Sequence, residues 1–566
     1  MALRTGGEIL VANLLSHGVT HAFGVPGESY LAVLDALYDV EDRLQFIVCR
    51  QEGGATYMAE AYGKLTGRPG IALVTRGPGA TNAAVGVHTA AQDSTPLILL
   101  VGQVGTDMAD REAFQEIDYR RMYGSMVKWA AQIDRAERIP EYVAHAFRVA
   151  MAGRPGPVVL ALPEDMLVAR ADVRDVPRVD PVPTAPTPQA IAATRTALAG
   201  AERPLVLAGG SRWSGAASSA LAAFAERTGL PVACAFRHQD LLDNRHPNYA
   251  GDVGIGINPK LAARVRDADV LLVIGERLGE MTTSGYALLE APLPRQTLIH
   301  VHPGVEELGR VYQPALAINA TPLEFLEALG ADTGFVRPAW QALATEAHAA
   351  YEAWRTPRPV PGDVDLWQIV RWLDERLPAD AIVTNGAGNY ATWMHRVFRY
   401  RRFRSQLAPY SGSMGYGVPA AVAAKALFPA RTVVSWNGDG CFLMNGQEVA
   451  TAVQYGLAVV FVVLDNGMYG TIRMHQERHY PGRVSGTDLV NPDFAALARA
   501  YGAHAETVRR TDEFMPAFER AQASGRPALL HVIQDPQSLT PNATLDALRA
   551  QGEAARSAAV AAPTTT

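Results

Sequence analysis

A chain of 566 residues is longer than one hydrophobic core spans, and at about 100–200 residues per domain it predicts three or four domains. Hydrophobic residues make up 48 % of it, but charge, Gly or Pro interrupts them every few positions, so no run approaches the roughly 20 apolar residues of a membrane span. A formal charge of −6 without a basic block excludes an electrostatic footprint for nucleic acid, and three scattered cysteines without metal-ligand spacing, Cys49, Cys234 and Cys441, fit a reducing, cytoplasmic setting.

In chain order, the first stretch, "MALRTGGEILVANLLSHGV", has apolar residues at helical spacing and lacks the continuous apolar segment of a signal peptide, so an untargeted, soluble chain is expected. "RQEGGATYMAEAYGKLTGRPG" (50–70) reads as a packed helix with Glu52 at its start, where backbone N–H groups and the dipole favour a carboxylate. Strand-length apolar runs follow: "GIALVT", "PLILLVG" and "GPVVLALP", then "PLVLAGG", "DVLLVIGE" and "TLIHVH", then "DAIVTNG", "TVVSWNGDG", "AVVFVVLDN" and "ALLHVIQD". Continuous Val/Ile/Leu strands alternating with helices predict parallel sheets covered on both faces. Pro-rich segments at 176–189 and 355–363 read as linkers. They divide the chain into three α/β units, 1–170, 190–335 and 363–540, followed by a tail, 541–566, whose end "AARSAAVAAPTTT" is expected to be frayed or disordered.

The most specific stretch is "SWNGDGCFLMNGQEVATAVQYGLAVVFVVLDNGMYG" (435–470), a strand, an acidic turn, a helix, a second strand and a second turn. Asp439 and Asn466 are 27 positions apart, at the carboxyl ends of consecutive parallel strands, and so face one crevice. Two hard oxygen ligands, a nearby backbone carbonyl and a diphosphate would complete an octahedral Mg²⁺ site. Gly438 and Gly440 let the backbone approach phosphate, and the helix start that follows offers N–H donors. "GSMGYG" (412–417) lacks the preceding strand and the ribose-binding acid of a dinucleotide fingerprint.

These motifs resemble those of the thiamine-diphosphate-dependent enzymes, in particular the acetolactate synthase and benzaldehyde lyase-like branch, and the resemblance covers nearly the whole chain. It implies three Rossmann-like, doubly wound parallel-sheet domains: pyrimidine-binding, central and diphosphate-binding. It assigns Mg²⁺ to Asp439, Asn466 and the carbonyl of Met468, and extends the diphosphate motif through Tyr469 and Gly470. "NGAGNY" (385–390), with Gly388 and Asn389, would supply donors to the diphosphate. "YSGSMGYGVPAA" (410–421) matches the segment that bends thiamine, with Met414 between its rings and the Gly412 carbonyl accepting from the 4′-amino group. Two positions depart from the family pattern: Asp465 stands where the motif has its first Asn, and Cys441 where "GDG" is followed by Ser.

By the same resemblance Glu52 hydrogen-bonds N1′ of the aminopyrimidine and drives the tautomer that deprotonates the thiazolium. Desolvation among small residues is expected to raise its pKa for that task. "TRGPGATNAAVGVHTAAQDSTPLILLVGQV" (75–104) resembles the substrate-side loop, and Gln115 in "FQEID" faces the reaction centre in relatives. Glu28, in "FGVPGES", sits in the loop that relatives place over the thiazolium, and Lys128 matches a family Lys near the carboxylate side. His475 and His479 replace aromatic residues of acetolactate synthases, so His475, with an imidazole edge that can carry charge near neutral pH, is expected to read an acceptor or donor larger or more polar than pyruvate.

The implied activity is a carboligase acting on 2-oxo acids or 2-hydroxy ketones through an acyl anion equivalent. A benzaldehyde lyase-like or 2-hydroxyacyl-CoA lyase-like lyase and a 2-oxo acid decarboxylase are the alternatives, and no adjacent His pair of the simple decarboxylases occurs. A nucleotide-dependent oxidoreductase lacks its fingerprint, and a catalytically silent scaffold has no use for Glu52. In the central unit, His302 replaces the family's usual Asp and "FRHQDLLDNRHPNYAG" departs from the FAD-type loop, so tightly bound FAD is not expected. The resemblance implies a homodimer or homotetramer, with Glu52 of one chain meeting the Mg²⁺ site of another.

Overall fold

The computed structural model describes residues 3–561. The described residues form two compact units, which fall within Met1–Ala353 with Tyr400–Gln406, and within Trp354–Arg399 with Leu407–Thr566.

The first unit holds two six-stranded sheets. One contains β1 (His21–Gly24), β2 (Gln45–Val48), β3 (Gly70–Val74), β4 (Leu97–Gln103), β5 (Trp129–Gln132) and β6 (Pro157–Pro163), in the spatial order β2-β1-β3-β4-β6-β5. All its pairs are parallel. Every residue of β3, β4 and β6 is buried, as strands covered on both faces must be. On one face the helix Glu52–Thr66 lies against the helix Pro78–Asp93. Their close approach needs Gly86, where a Cβ would come within 2.2 Å of Thr56 Oγ1. The other sheet contains β7 (Leu205–Ala208), β8 (Val232–Ala235), β9 (Tyr249–Val253), β10 (Val270–Ile274), β11 (Thr297–His302) and β12 (Leu316–Asn319), ordered β9-β8-β7-β10-β11-β12 and parallel throughout.

The second unit holds β13 (Ile382–Asn385), β14 (Gln406–Leu407, which straddles the unit boundary), β15 (Val433–Gly438), β16 (Val460–Asp465), β17 (His504–Val508) and β18 (Ala528–Ile533), ordered β14-β13-β15-β16-β18-β17. Its five longer strands run parallel. The expected doubly wound architecture is therefore present three times. The first and third sheets also share one winding, which reverses between β1 and β3 and between β13 and β15. At such reversals the connections leave in opposite directions and open a crevice beyond the carboxyl ends of the strands.

Residues 172–187 and 355–365, which include most of the two Pro-rich segments, carry neither helix nor strand. The expected fraying of the tail is corrected: Leu545–Ala561 is a helix, and residues 562–566 lie outside the described residues. Tertiary contacts stabilise it. Leu545 and Leu548 join Met468, Met474 and Leu539 in a buried cluster, and Arg549 makes two hydrogen bonds, at 2.9 and 2.8 Å, to the fully buried carboxylate of Glu477.

Candidate active site

In the second unit, the loops after β13, β15 and β16 surround a cavity of about 220 Å³ at the winding reversal. The structure brings the whole predicted cofactor set to this cavity. Gly388 and Asn389 line it from the β13 loop, and Gly412 and Met414 from the glycine-rich segment. Gly438, Asp439, Gly440 and Cys441 line it from the β15 turn, and Asn466, Met468, Tyr469 and Gly470 from the β16 turn.

Three helices start here, Asn389–Val397, Asp439–Phe442 and Gly470–His479, and none has a side-chain cap. Their first N–H groups and dipole ends face a common space, which suits a diphosphate. Glycine is required at two of the turns. A Cβ on Gly388, whose φ is 151°, would meet the Tyr390 ring at 2.6 Å, and one on Gly440 would meet the Tyr469 ring at 2.6 Å. Cys441 does not leave the missing serine hydroxyl uncompensated: its Sγ accepts from Tyr390 Oη at 3.0 Å and from Gly415 N at 3.1 Å, tying the β15 turn to the glycine-rich segment.

At the metal end, Asp439 is 3 % exposed, and burial, with Asp465 nearby, pushes its carboxyl up to about 6. Gly440 N donates to Asp439 Oδ1 at 2.8 Å and Gly467 N to Oδ2 at 2.9 Å. A buried carboxylate in this state favours a nearby cation. Among the described residues no group of three or more His, Cys, Asp or Glu could hold a metal. A Mg²⁺ at Asp439 would therefore take its other ligands from the Asn466 amide, a backbone carbonyl and phosphate oxygens, and the residues present fit that ion. Asp465 behaves differently. Burial raises its pKa, but hydrogen bonds from His531 Nε2 at 2.8 Å and Asn491 Nδ2 at 2.8 Å outweigh this and hold it below the usual range.

The first unit places Glu52, Glu28 and Gln115 at the carboxyl edge of its first sheet. Gln51 caps the helix of Glu52 by accepting from Gly54 N at 3.0 Å, and Asn82 Nδ2 donates to Glu52 Oε2 at 3.0 Å. Within the single chain Glu52 is half-buried at the open start of its helix. Gln115 adopts φ 66° and seats on Gly77, where a Cβ would come within 2.7 Å of the Gln115 Cβ. Between the β1 and β3 loops lies Arg76, buried, with Nε donating to Phe114 O at 3.1 Å, Nη1 paired with Glu164 and Nη2 at 3.5 Å from Glu28. One guanidinium thus ties together the loops that carry Glu28 and Gln115.

Family models match along the chain: the N-terminal TPP binding domain of thiamine pyrophosphate enzymes over residues 4–122, their central domain over 191–329, and their C-terminal TPP binding domain over 386–532. The chain belongs to the thiamine pyrophosphate enzyme family. It is 32 % identical to the acetolactate synthase isozyme 2 large subunit of Escherichia coli, covering 94 % of this chain and 95 % of that one. A probable acetolactate synthase large subunit of Methanocaldococcus jannaschii is 32 % identical, with 95 % and 93 % covered, and the Corynebacterium glutamicum large subunit is 31 % identical, with 94 % and 86 % covered. Among thiamine pyrophosphate enzymes, then, it lies in the acetolactate synthase-like branch.

Within this family member, two expected roles are not supported by position. His475 is exposed and stacks on His479 with ring centroids 6.3 Å apart, about one turn beyond Ile472, the last residue of that helix to line the cavity. Partial desolvation, with Arg478 and His479 nearby, lowers its pKa from the ordinary imidazole value. Lys128 donates to the backbone carbonyls of Ala152 and Arg154 and so braces a turn.

In the central domain the turns after β7 and β10 pack closely on one another. A Cβ on Gly210 would lie 1.9 Å from Gly275 O, and Trp213 Nε1 donates to Gly209 O at 2.8 Å. The Glu276 carboxylate, 1 % exposed, lies beside Gly209. His302 turns inward, its Nδ1 accepting from Gly304 N at 3.0 Å, and burial lowers its pKa to about 4. Reasoning from sequence missed Arg76, Asn491 and His531. Of these only Arg76, within the quoted "TRGPG" turn, carried a sequence signal.

Proposed function

We propose that the chain is a thiamine-diphosphate- and Mg²⁺-dependent carboligase of the acetolactate synthase type, joining the acyl carbon of a 2-oxo acid or 2-hydroxy ketone to an aldehyde or second 2-oxo acid. The observation that carries this reading is the convergence of three uncapped helix starts with Asp439 and Asn466 on one cavity. When bound, the cofactor supplies the nucleophilic carbon and the electron sink. Asp439, Asn466 and the Met468 carbonyl would hold Mg²⁺, and the helix starts would bind the diphosphate. Met414 would support the ring system, and Glu52 would hold and release a proton at the aminopyrimidine nitrogen. Arg76 would keep Glu28 and Gln115 in fixed positions toward the substrate, and the apolar surroundings would exclude water from the reacting carbon. Incubating the protein with pyruvate, with and without an aldehyde, is expected to give coupled products that require both added thiamine diphosphate and Mg²⁺. Mass spectrometry reads this directly, and coupling that persists without the cofactor would overturn the assignment.

Flavin is outside the proposal. The buried Glu276 carboxylate lies beside Gly209 at the end of β7, the edge that a dinucleotide phosphate would approach, and desolvating two like charges together is costly. The purified protein is expected to be colourless, and stoichiometric flavin released on denaturation would refute this. We further propose a cytoplasmic homodimer or homotetramer in which each active site takes Glu52 from one chain and Asp439 from another. Exposed Val85, near the Glu52 helix start, and exposed Leu443 and Met444, which follow the Asp439 turn, are apolar surface that such an interface would cover. No helix among the described residues is long and apolar enough to cross a membrane.

A further inference from the structure

Asn491 lies outside every motif that carries the family resemblance, yet its side chain reaches the centre of the metal end. Its Nδ2 donates to Asp439 Oδ2 at 2.9 Å and to Asp465 Oδ1 at 2.8 Å. The Gly467 N–H is shared by the same two carboxylates, at 2.9 and 3.1 Å. One amide nitrogen therefore stands between two acids. The other oxygen of Asp465 accepts from His531 Nε2 at 2.8 Å. The Asn491 amide oxygen is buried and has no hydrogen-bond partner among the described residues, so the donor end alone fixes how the amide points. Turned over, it would present a carbonyl oxygen to two carboxylates with no proton between them.

The placement of Asn491 comes from a backbone strap. Tyr469 N donates to Thr487 O at 2.9 Å, Leu489 N donates to Gly467 O at 2.8 Å, and Met468 forms an antiparallel bridge with Asp488. The strap runs along the turn that carries Asn466 and Met468 and delivers Asn491 at its far end.

We propose that Asn491 is a positioning residue that keeps Asp439 turned toward the metal by separating it from Asp465. The inference rests on the thiamine diphosphate and Mg²⁺ reading above. Two adjacent carboxylates repel, and without the Asn491 amide, which leaves the Gly467 N–H between them, Asp439 relieves the repulsion by rotating away from the position a cation needs. The repulsion arises because Asp465 supplies a second charge beside Asp439, at a position where the family resemblance implies a neutral amide.

The experiment is calorimetric titration of Mg²⁺ into protein in the presence of excess thiamine diphosphate, for the parent, Asn491→Ala, and Asn491→Ala combined with Asp465→Asn. Partners of metal-ligating groups are typically worth about 10–100-fold in affinity, and a loss of that size is expected for Asn491→Ala. Removing the Asp465 charge as well is expected to restore most of it, which a merely structural role for Asn491 would not produce. Parental affinity in Asn491→Ala, or a double variant no tighter than the single, would overturn the proposal. If far-ultraviolet circular dichroism shows that Asn491→Ala does not fold, Asn491→Ser, with and without Asp465→Asn, makes the same comparison. Its weaker binding and rescue are expected, and the absence of either overturns the proposal. A parent that takes up neither cofactor nor Mg²⁺ refutes the functional reading itself, which separates the two failures.

Discussion

Replacing Asp439 by Ala is expected to abolish cofactor uptake while leaving the fold in place. The carboxylate is the one anionic group of the proposed metal set, alongside a neutral amide and a backbone carbonyl. Without it the ion loses most of its attraction, and the diphosphate is left with helix starts alone. The loss of affinity should exceed the about 100-fold upper range typical of supporting residues. The fold should survive the change, because Gly467 N and Asn491 Nδ2, which donate to Asp439, keep Asp465 Oδ1 as an acceptor. Calorimetry with thiamine diphosphate and Mg²⁺ decides the matter, and full occupancy of Asp439→Ala would sink the metal assignment.

Replacing Glu52 by Gln is expected to leave cofactor affinity near that of the parent and to remove about 10²–10⁴-fold of the rate, the usual size of a general acid–base contribution. The amide keeps the contact with Asn82, which is 3.0 Å from the carboxylate, and preserves the helix start, but it cannot exchange a proton with a ring nitrogen. Hydrogen–deuterium exchange at C2 of bound thiamine isolates this step from the later chemistry. Exchange as fast as in the parent would show that Glu52 has another task. Mixing Glu52→Gln with Asp439→Ala chains under conditions that exchange subunits is expected to restore activity, since some shared sites would then carry both intact groups. No recovery would place Glu52 and Asp439 of one active site on a single chain.

How much of this was legible in the sequence depends on how far apart the interacting residues lie in the chain. Strands such as Leu97–Gln103 and Pro157–Pro163 were readable because a strand buried on both faces must be apolar at every position. The strands His21–Gly24, Gln45–Val48 and His504–Val508 were not, because they are short and carry partly exposed or polar positions that blur the pattern. The pairing of Asp439 with Asn466 was legible for a geometric reason: consecutive parallel strands place their carboxyl ends side by side whatever else the chain does.

The amino-acid sequence by itself therefore determined the repeated α/β architecture through local periodicity and the Asp439–Asn466 pairing through consecutive strands, and its motifs, by their resemblance to a known family, pointed to the rest of the ring around the cavity. Only the tertiary structure decided that the tail is helical. Its Ala-rich end has no evident local stop or start signal, and the helix is stabilised by Arg549 on Glu477, 72 positions away. Tertiary structure likewise decided that His475 lies a turn beyond the cavity, that Arg76 joins Glu28 to the Gln115 loop, and that Asn491 stands between Asp439 and Asp465. The Arg76 and Asn491 placements depend on hydrogen bonds between segments far apart in the chain, and no pattern within a single window of residues encodes such a contact.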